Sequence, residues 1–280
     1  MKKFVLLSTQ RSGSTFLRIW LNSHSKIDSH GEVFLGRYES QDGLKIFCER
    51  SFLADRLRFA LHHNFISNRL NIDLISRDMV DRYLHSLFFD PGHPAPWTNI
   101  HRRDELIRKK SPEVTGFKLM YNTLARYPAL QDWMDEEKDL RVIHLIRYNL
   151  LKSFISGERM RQSKVAHTKD RDFKFPPVYI DLKKLQTYFE VTHEKQAYYR
   201  KYFSVSHPYL ELSYEEIFAD KESSILKILN FFSLQKEEML LPGMKKISSK
   251  KLADEVVNPE QLVESLSGTG YESYLKDYEW

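Results

Sequence analysis

Residues 4–21 constrain the fold more than any other stretch of this sequence. Residues 4–7 form a short apolar run without polar alternation, which is typical of a strand buried on both faces of a parallel sheet. Further along, four apolar side chains recur at the spacing of one helix face: Phe16, Leu17, Trp20 and Leu21. The stretch therefore predicts a strand, a tight loop and a helix.

The predicted loop ends in residue types that suit an anion. The segment Arg11-Ser12-Gly13-Ser14-Thr15 combines one arginine, one glycine and three hydroxyl side chains. It leads into a helix N-terminus, where backbone N–H groups lack internal partners and the helix dipole is positive. We expect a phosphate seat here. The alternative is a strand-to-helix turn that binds nothing.

A comparison with the Walker A loop defines this site further. That loop has the pattern Gly-x-x-x-x-Gly-Lys-Ser/Thr, in which the lysine reaches the terminal phosphates and the hydroxyl holds magnesium. Here the first glycine and the lysine are both missing, and the cation is Arg11, two residues before Gly13. The loop is P-loop-like, but its charge is arranged differently.

The sequence Arg-Ser-Gly-Ser-Thr-Phe-Leu after an N-terminal strand resembles the 5′-phosphosulfate loop of sulfotransferases that use 3′-phosphoadenosine 5′-phosphosulfate (PAPS). The resemblance implies a P-loop NTPase-like, three-layer α/β fold, with a mostly parallel central sheet flanked by helices, in one domain over residues 1–280. It also implies that Arg11, Ser12, Gly13, Ser14 and Thr15 bind the 5′-phosphate. Arg11 would further hold the charge that grows on the leaving oxygen, so that no metal is needed.

A second predicted strand, residues 27–30, is followed by a turn at Gly31 that presents Glu32 at the carboxyl end, where α/β proteins bind ligands. From the sequence alone, Glu32 is either a base or an ordinary exposed glutamate. The resembling branch that acts on carbohydrates, tyrosyl proteins and bacterial lipids uses a glutamate base shortly after the first helix, which implies this role for Glu32. Aryl and steroid sulfotransferases use a histidine further on, and the competitors here are His30, His62 and His63.

The clearest strand pattern, residues 140–147, ends in Arg147 and leads into a helical stretch that contains Ser156. A guanidinium and a hydroxyl at one sheet edge suit a phosphate monoester, although Arg147 alone is equally compatible with a strand-end salt bridge. The pair resembles the 3′-phosphate motif of the family. The spacing here is nine residues, whereas cytosolic members have eight.

Further along, the stretch Tyr214-Glu215-Glu216-Ile217 after a short strand resembles the family signature Tyr-Glu-Asp-Leu. The resemblance implies that Tyr214 lies against the adenine; the alternative is a core tyrosine. The C-terminal lysine pairs 245–246 and 250–251 are candidates to approach the 3′-phosphate, and the sequence does not select one.

Two segments have a less definite pattern. Residues 40–110 show helical periodicity and form an insertion, which we expect to provide the acceptor-binding wall. Residues 157–177 are polar, basic and closed by two prolines, which favours a surface loop. A lid over an anionic acceptor is the alternative for this loop.

Bulk composition limits the remaining possibilities. The net charge of +5 is spread among interspersed acids and bases, so we expect no nucleic-acid partner. The single cysteine excludes an intrachain disulfide and indicates a reducing compartment. The histidines lack metal-ligand spacing. No apolar run approaches the roughly 18 residues of a membrane span. We therefore predict a cytoplasmic protein without a bound metal or a transmembrane segment; the oligomeric state stays open.

These observations predict a sulfotransferase. It would transfer the sulfuryl group of PAPS to a hydroxyl or amine of a carbohydrate, lipid or other small acceptor, and release adenosine 3′,5′-bisphosphate (PAP). Two other functions remain possible from the residues: a P-loop nucleotide kinase or phosphotransferase, and a non-catalytic module that binds polyanions.

Overall fold

A five-stranded sheet lies at the centre of the computed structural model, which describes residues 1–32, 34, 76–89, 111–163, 175–243 and 251–278. The strands are β1 (Lys2–Ser8), β2 (Ile27–Glu32), β3 (Val114–Met120), β4 (Arg141–Ile146) and β5 (Tyr209–Ser213). The helices in the described residues are α1 (Ser14–Asn22), α2 (Arg77–Phe89), α3 (Tyr121–Arg126), α4 (Pro128–Glu136), α5 (Leu150–Ser163), α6 (Leu182–Ser206), α7 (Tyr214–Ala219), α8 (Lys221–Phe232) and α9 (Pro259–Leu266). Two short 3-10 helices follow near the C-terminus, Leu252–Asp254 and Glu272–Asp277.

The strand order is β2-β3-β1-β4-β5, and every described pair is parallel. β1 is therefore the central strand, with β3 on one side and β4 on the other. Because the strands are parallel, their carboxyl ends all meet at one edge of the sheet. The loop after β1 lies in the middle of that edge, where open α/β sheets bind ligands.

Helices cover both faces of the sheet, and β1 shows how the side chains divide between them. Phe4 and Leu6 pack in a cluster with residues of α1, α7 and α8. Val5 and Leu7 point to the opposite face and pack with residues of α2, α3, α4 and α6. A run of apolar residues is thus required along β1, because a central parallel strand is buried on both faces. The predicted three-layer α/β fold is confirmed.

A third apolar cluster attaches the C-terminal segment to the body of the protein. It joins the buried faces of α5 and the first half of α6 to residues of α9 and of the last 3-10 helix. Arg159 and Glu255 form a buried ion pair of 2.7 Å across this contact, and Tyr278 donates a hydrogen bond of 3.1 Å to the same carboxylate. The C-terminal segment is therefore fastened to the helix that follows β4.

Two expectations about helix boundaries are wrong. The apolar spacing of residues 124–134 predicts one helix, but the structure divides this stretch between α3 and α4, because Pro128 begins a new helix at its N1 position. The expected loop from residue 157 begins later, because α5 continues to Ser163. Gly157 is accommodated in that helix, with open space where a Cβ would be.

Most of the predicted acceptor wall, residues 40–110, lies outside the described residues, as do His62, His63 and the core of the lid candidate, residues 164–174. The described part of the insertion is α2, which has the expected helical character. Across the described ranges, no helix is both long enough and apolar enough to cross a membrane.

Candidate functional site

The loop after β1 adopts a backbone that few residues favour. Arg11 has φ of 61° and Gly13 has φ of 87°, both in the left-handed region. A left-handed conformation is costly for a residue other than glycine, and residues held in it cluster at active sites and ligand sites. The buried Ser12 donates a hydrogen bond of 2.8 Å from its Oγ to the carbonyl of Thr9, which closes the loop.

Gly13 is required at its position for a second reason. A Cβ added there would lie 2.6 Å from Cδ2 of Tyr214, so the ring of Tyr214 packs directly against the glycine backbone. A side chain at residue 13 would thus meet both an unfavourable φ and a steric clash. The loop after β1 and the start of α7 are in close contact.

The N-terminus of α1 has no side-chain cap, as in α3, α4 and α9 and in contrast to four other helices. Gly13 is its N-cap residue, and no side chain in the described part of the chain caps it. Side chains do cap α5, α6, α7 and α8, through Asn149, Asp181, Ser213 and Asp220. The N–H groups and positive dipole end of α1 are thus available to an anion, next to the buried Ser14 and the half-buried Thr15.

Two arginines lie together beside this helix end. Nη1 of Arg147 donates to the backbone oxygen of Arg11 at 2.9 Å, and Nε of Arg11 donates to Oγ of Ser156 at 2.9 Å. Burial, and then the positive charge of Arg147, lower the pKa of Arg11, although an arginine stays protonated. Arg147 is 8% exposed, and its Nε has no hydrogen-bond partner among the described residues. A bound anion would compensate this concentration of buried positive charge.

Tyr214 completes this side of the site. Its ring centre lies 4.3 Å from the guanidinium carbon of Arg147, a cation–π distance. Burial raises the pKa of its phenol, and Arg147 acts in the opposite direction. Tyr214 therefore contacts the two elements expected to bind the nucleotide, the loop at Gly13 and the end of β4.

Glu32 lies on the other side of the loop, in an ion pair that the sequence did not reveal. Its Oε1 is 2.8 Å from Nζ of Lys118, which also donates to Oγ1 of Thr15 at 3.2 Å. Burial lowers the pKa of Lys118, while the Glu32 carboxylate acts in the opposite direction. A buried cation thus joins the candidate base to the first turn of α1.

An irregularity in β2 places Glu32 on this face. His30 is in register with Phe117 and Glu32 with Lys118, so Gly31 is an extra residue in the pairing. Since side chains alternate along a strand, Glu32 would otherwise share the face of Asp28 and His30. The extra residue shifts Glu32 to the face of Lys118, as bulges next to active sites commonly do. The expected turn at Gly31 is a bulge within the strand.

All nine residues predicted from the sequence lie at the carboxyl edge of the sheet, around the loop after β1. Lys118 is not among these nine residues. Its signal was present: Lys118 is the one charged residue in β3, whose burial is otherwise that of a core strand, and it stands near the carboxyl end. A buried charge at that end of a strand favours a ligand site.

Comparison with known protein families identifies the family of this chain. A model of the sulfotransferase family matches residues 4–238, which include most of β1, the strands β2 to β5 and helix α8. The chain belongs to the sulfotransferase family. This sulfotransferase thus combines the family's sequence pattern with a site built from the first loop, the end of β3 and the end of β4. A comparison with curated proteins found no significant match.

Solved sulfotransferases resemble this one across most of its length. The sulfotransferase domain of the Synechococcus PCC 7002 olefin synthase is 17% identical, with 96% of this chain and 88% of that chain covered and a TM-score of 0.42. The sulfotransferase domain of the curacin biosynthetic pathway is 15% identical, with 98% and 88% covered and a TM-score of 0.44. Sulfotransferase STF9 from Mycobacterium avium is 14% identical, with 98% and 76% covered and a TM-score of 0.38.

Proposed function

We propose that this sulfotransferase uses PAPS as its sulfuryl donor. The observation that carries the proposal is the pairing of the uncapped N-terminus of α1 with the half-buried guanidinium of Arg11 and the buried guanidinium of Arg147. These groups form two adjacent seats for anions. A nucleotide with a phosphate at each end of its ribose satisfies both seats, because a guanidinium binds a phosphate monoester through parallel, charge-assisted hydrogen bonds.

In this proposal each predicted residue has one task. Arg11 and the N–H groups of Gly13, Ser14 and Thr15 bind the 5′-phosphate, with Ser12 holding the loop closed. Arg147 and Ser156 bind the 3′-phosphate. Tyr214 lies against the adenine, where its ring already covers Gly13 and the Arg147 guanidinium.

The chemical step is an in-line displacement at sulfur. The acceptor oxygen or nitrogen forms a bond to the sulfur, the bond from sulfur to the 5′-phosphate oxygen breaks, and PAP leaves. Glu32 takes the proton of the acceptor and so acts as the general base. Lys118 and Arg11 stabilise the negative charge that develops between acceptor and leaving group.

The acceptor is a small molecule with a hydroxyl or amine. We propose that it is a carbohydrate or a lipid head group, because the family branch with a glutamate base acts on acceptors of these classes. Incubation with ³⁵S-labelled PAPS and a host extract, followed by identification of the labelled product, tests both donor and acceptor. The predicted cytoplasmic location is part of this proposal, and fractionation of cells that express the protein tests it.

Calorimetry separates this function from the two alternatives. We expect PAP to bind without added metal and ATP with Mg²⁺ to bind at least about tenfold more weakly, because Arg147 has no 3′-phosphate to contact in ATP. Preferred binding of ATP with Mg²⁺ would favour a kinase. Tight binding of PAP without transfer to any acceptor would favour a polyanion-binding module.

A further inference from the structure

Glu215, on the first turn of α7, binds the backbone at the start of a different helix. Its Oε2 accepts a hydrogen bond of 3.0 Å from the backbone N–H of Tyr148, and its Oε1 accepts one of 3.1 Å from that of Asn149. These two N–H groups directly follow Arg147. The carboxylate therefore holds the chain between the end of β4 and the start of α5.

This contact is additional to the caps of both helices. Asn149 caps α5 by accepting a hydrogen bond of 3.1 Å from the N–H of Lys152 at its Oδ1. Ser213 and Glu216 form a reciprocal capping box at α7. Glu215 is thus not required to cap its own helix, and its carboxylate is free to link β4–α5 to the start of α7.

The neighbour of Glu215 contacts the other side of Arg147. The Tyr214 ring lies 4.3 Å from the Arg147 guanidinium and packs against Gly13. The dipeptide Tyr214-Glu215 consequently holds Arg147 twice, through the face of its guanidinium and through the backbone that follows it. Because the capping box ties Ser213 to the first turn of α7, both contacts come from a helix start that is itself hydrogen-bonded, and together they hold the guanidinium.

We infer that Glu215 is a positioning residue for recognition of the 3′-phosphate; this inference rests on the proposed use of PAPS. It acts through Arg147, which it holds in the geometry that a bidentate contact with a phosphate requires. Its negative charge also lies next to the N-terminus of α5, where it interacts favourably with the positive end of the helix dipole.

The test measures how strongly the protein distinguishes PAP from adenosine 5′-phosphate (AMP), which lacks the 3′-phosphate. Calorimetry would give both dissociation constants for the wild type, E215A, E215Q and the control E264Q, which changes an exposed glutamate of α9. In E215A we expect binding of PAP to weaken about tenfold and binding of AMP to change by less than about twofold. In E215Q the loss should be smaller, about threefold, since one amide oxygen still accepts a hydrogen bond.

The outcomes separate positioning from mere stability. Equal losses for PAP and AMP, or no loss for either, would overturn the inference even if the melting temperature falls. If the wild type does not distinguish PAP from AMP, both the inference and the proposed donor are wrong. If the wild type does distinguish them and the Glu215 variants do so equally well, only the inference is wrong.

Discussion

Nζ of Lys118 lies 2.8 Å from Oε1 of Glu32 and 3.2 Å from Oγ1 of Thr15. One buried ammonium group therefore connects the candidate base on β2 to the helix turn that receives the 5′-phosphate in the proposed mechanism. This lysine therefore links the end of β2 to the first turn of α1. We expect Glu32 and Lys118 to act as a unit, because residues in direct contact are not energetically independent.

Replacing Glu32 tests the proton acceptor. E32Q should reduce turnover by about 10²-fold or more, the usual scale of a general base, while binding of PAP is retained. Steady-state kinetics with PAPS and calorimetry with PAP measure the two effects. E113Q is the matched control, since Glu113 pairs with Lys26 at 3.2 Å at the opposite end of the sheet. Wild-type turnover of E32Q would assign the base to another residue.

Replacing Lys118 tests whether the pair acts as a unit. K118M should lower turnover by about 10²-fold, because it removes a buried positive charge beside the reacting groups. The double variant E32Q/K118M should be about as slow as the slower single variant. Losses that multiply in the double variant would show that the two side chains act independently.

Replacing Arg147 tests the second anion seat. R147A should weaken binding of PAP by about 10²-fold and binding of AMP far less, since only PAP has a 3′-phosphate. R141A, at the start of the same strand, is the control, because Arg141 donates to the carbonyl of Phe231 far from the site. Equal losses for PAP and AMP in R147A would contradict the assignment.

Two glycines should respond in opposite ways to alanine. G13A introduces a Cβ 2.6 Å from the Tyr214 ring at a φ of 87°, so we expect PAP binding to be lost and stability to fall by about 1–3 kcal/mol. G157A fills open space in α5 and should stabilise the protein by about 0.5–1 kcal/mol. Calorimetry and chemical denaturation measure both variants. Wild-type PAP binding by G13A would contradict the required contact.

A partly buried network around Glu211, away from the site, should make stability depend on acid pH. Burial acts to raise the pKa of Glu211, but hydrogen bonds with His144, Arg200 and Tyr209 hold it at about 2. A carboxylate with a lowered folded-state pKa stabilises the protein above its unfolded pKa near 4.5, and this stability is lost as pH falls towards 2. The Glu211 side chain is 26% exposed, and its lowered pKa contributes up to about 3 kcal/mol to the free energy of unfolding.

The variant E211Q isolates this dependence. Denaturation between pH 6 and about 3 should show a smaller loss of stability for E211Q than for the wild type, because a glutamine side chain does not titrate. E264Q, which alters an exposed glutamate, should follow the wild type. Identical acid profiles for the wild type and E211Q would contradict the role of Glu211.

The sequence predicts the fold well where one physical requirement determines the pattern. β1 and β4 are buried along most of their lengths, so their mainly apolar runs identify them. Local patterns do not reveal which strands pair, because pairing depends on contacts distant in sequence. The division at Pro128 and the continuation of α5 past Gly157 depend on packing that overrides local propensity.

The candidate site divides in the same way. Residues within one continuous motif, such as Arg11 and Gly13, are recognisable because a single loop needs them all. Lys118 and Glu215 act through partners that are remote in the chain, and only the folded structure places them beside Glu32 and Arg147. Their contacts depend on the folded arrangement, and no residue spacing in the sequence predicts them.

The extra residue at Gly31 has a consequence for work on related enzymes. Because one residue decides from which surface of the sheet Glu32 emerges, a relative that lacks the insertion would turn the equivalent glutamate away from the reacting groups. In such a relative a proton acceptor has to come from a position shifted by one, or from another strand. A sequence alignment that equates carboxylates by position alone will therefore assign the wrong residue as the proposed base, unless the pairing of β2 with β3 is also compared.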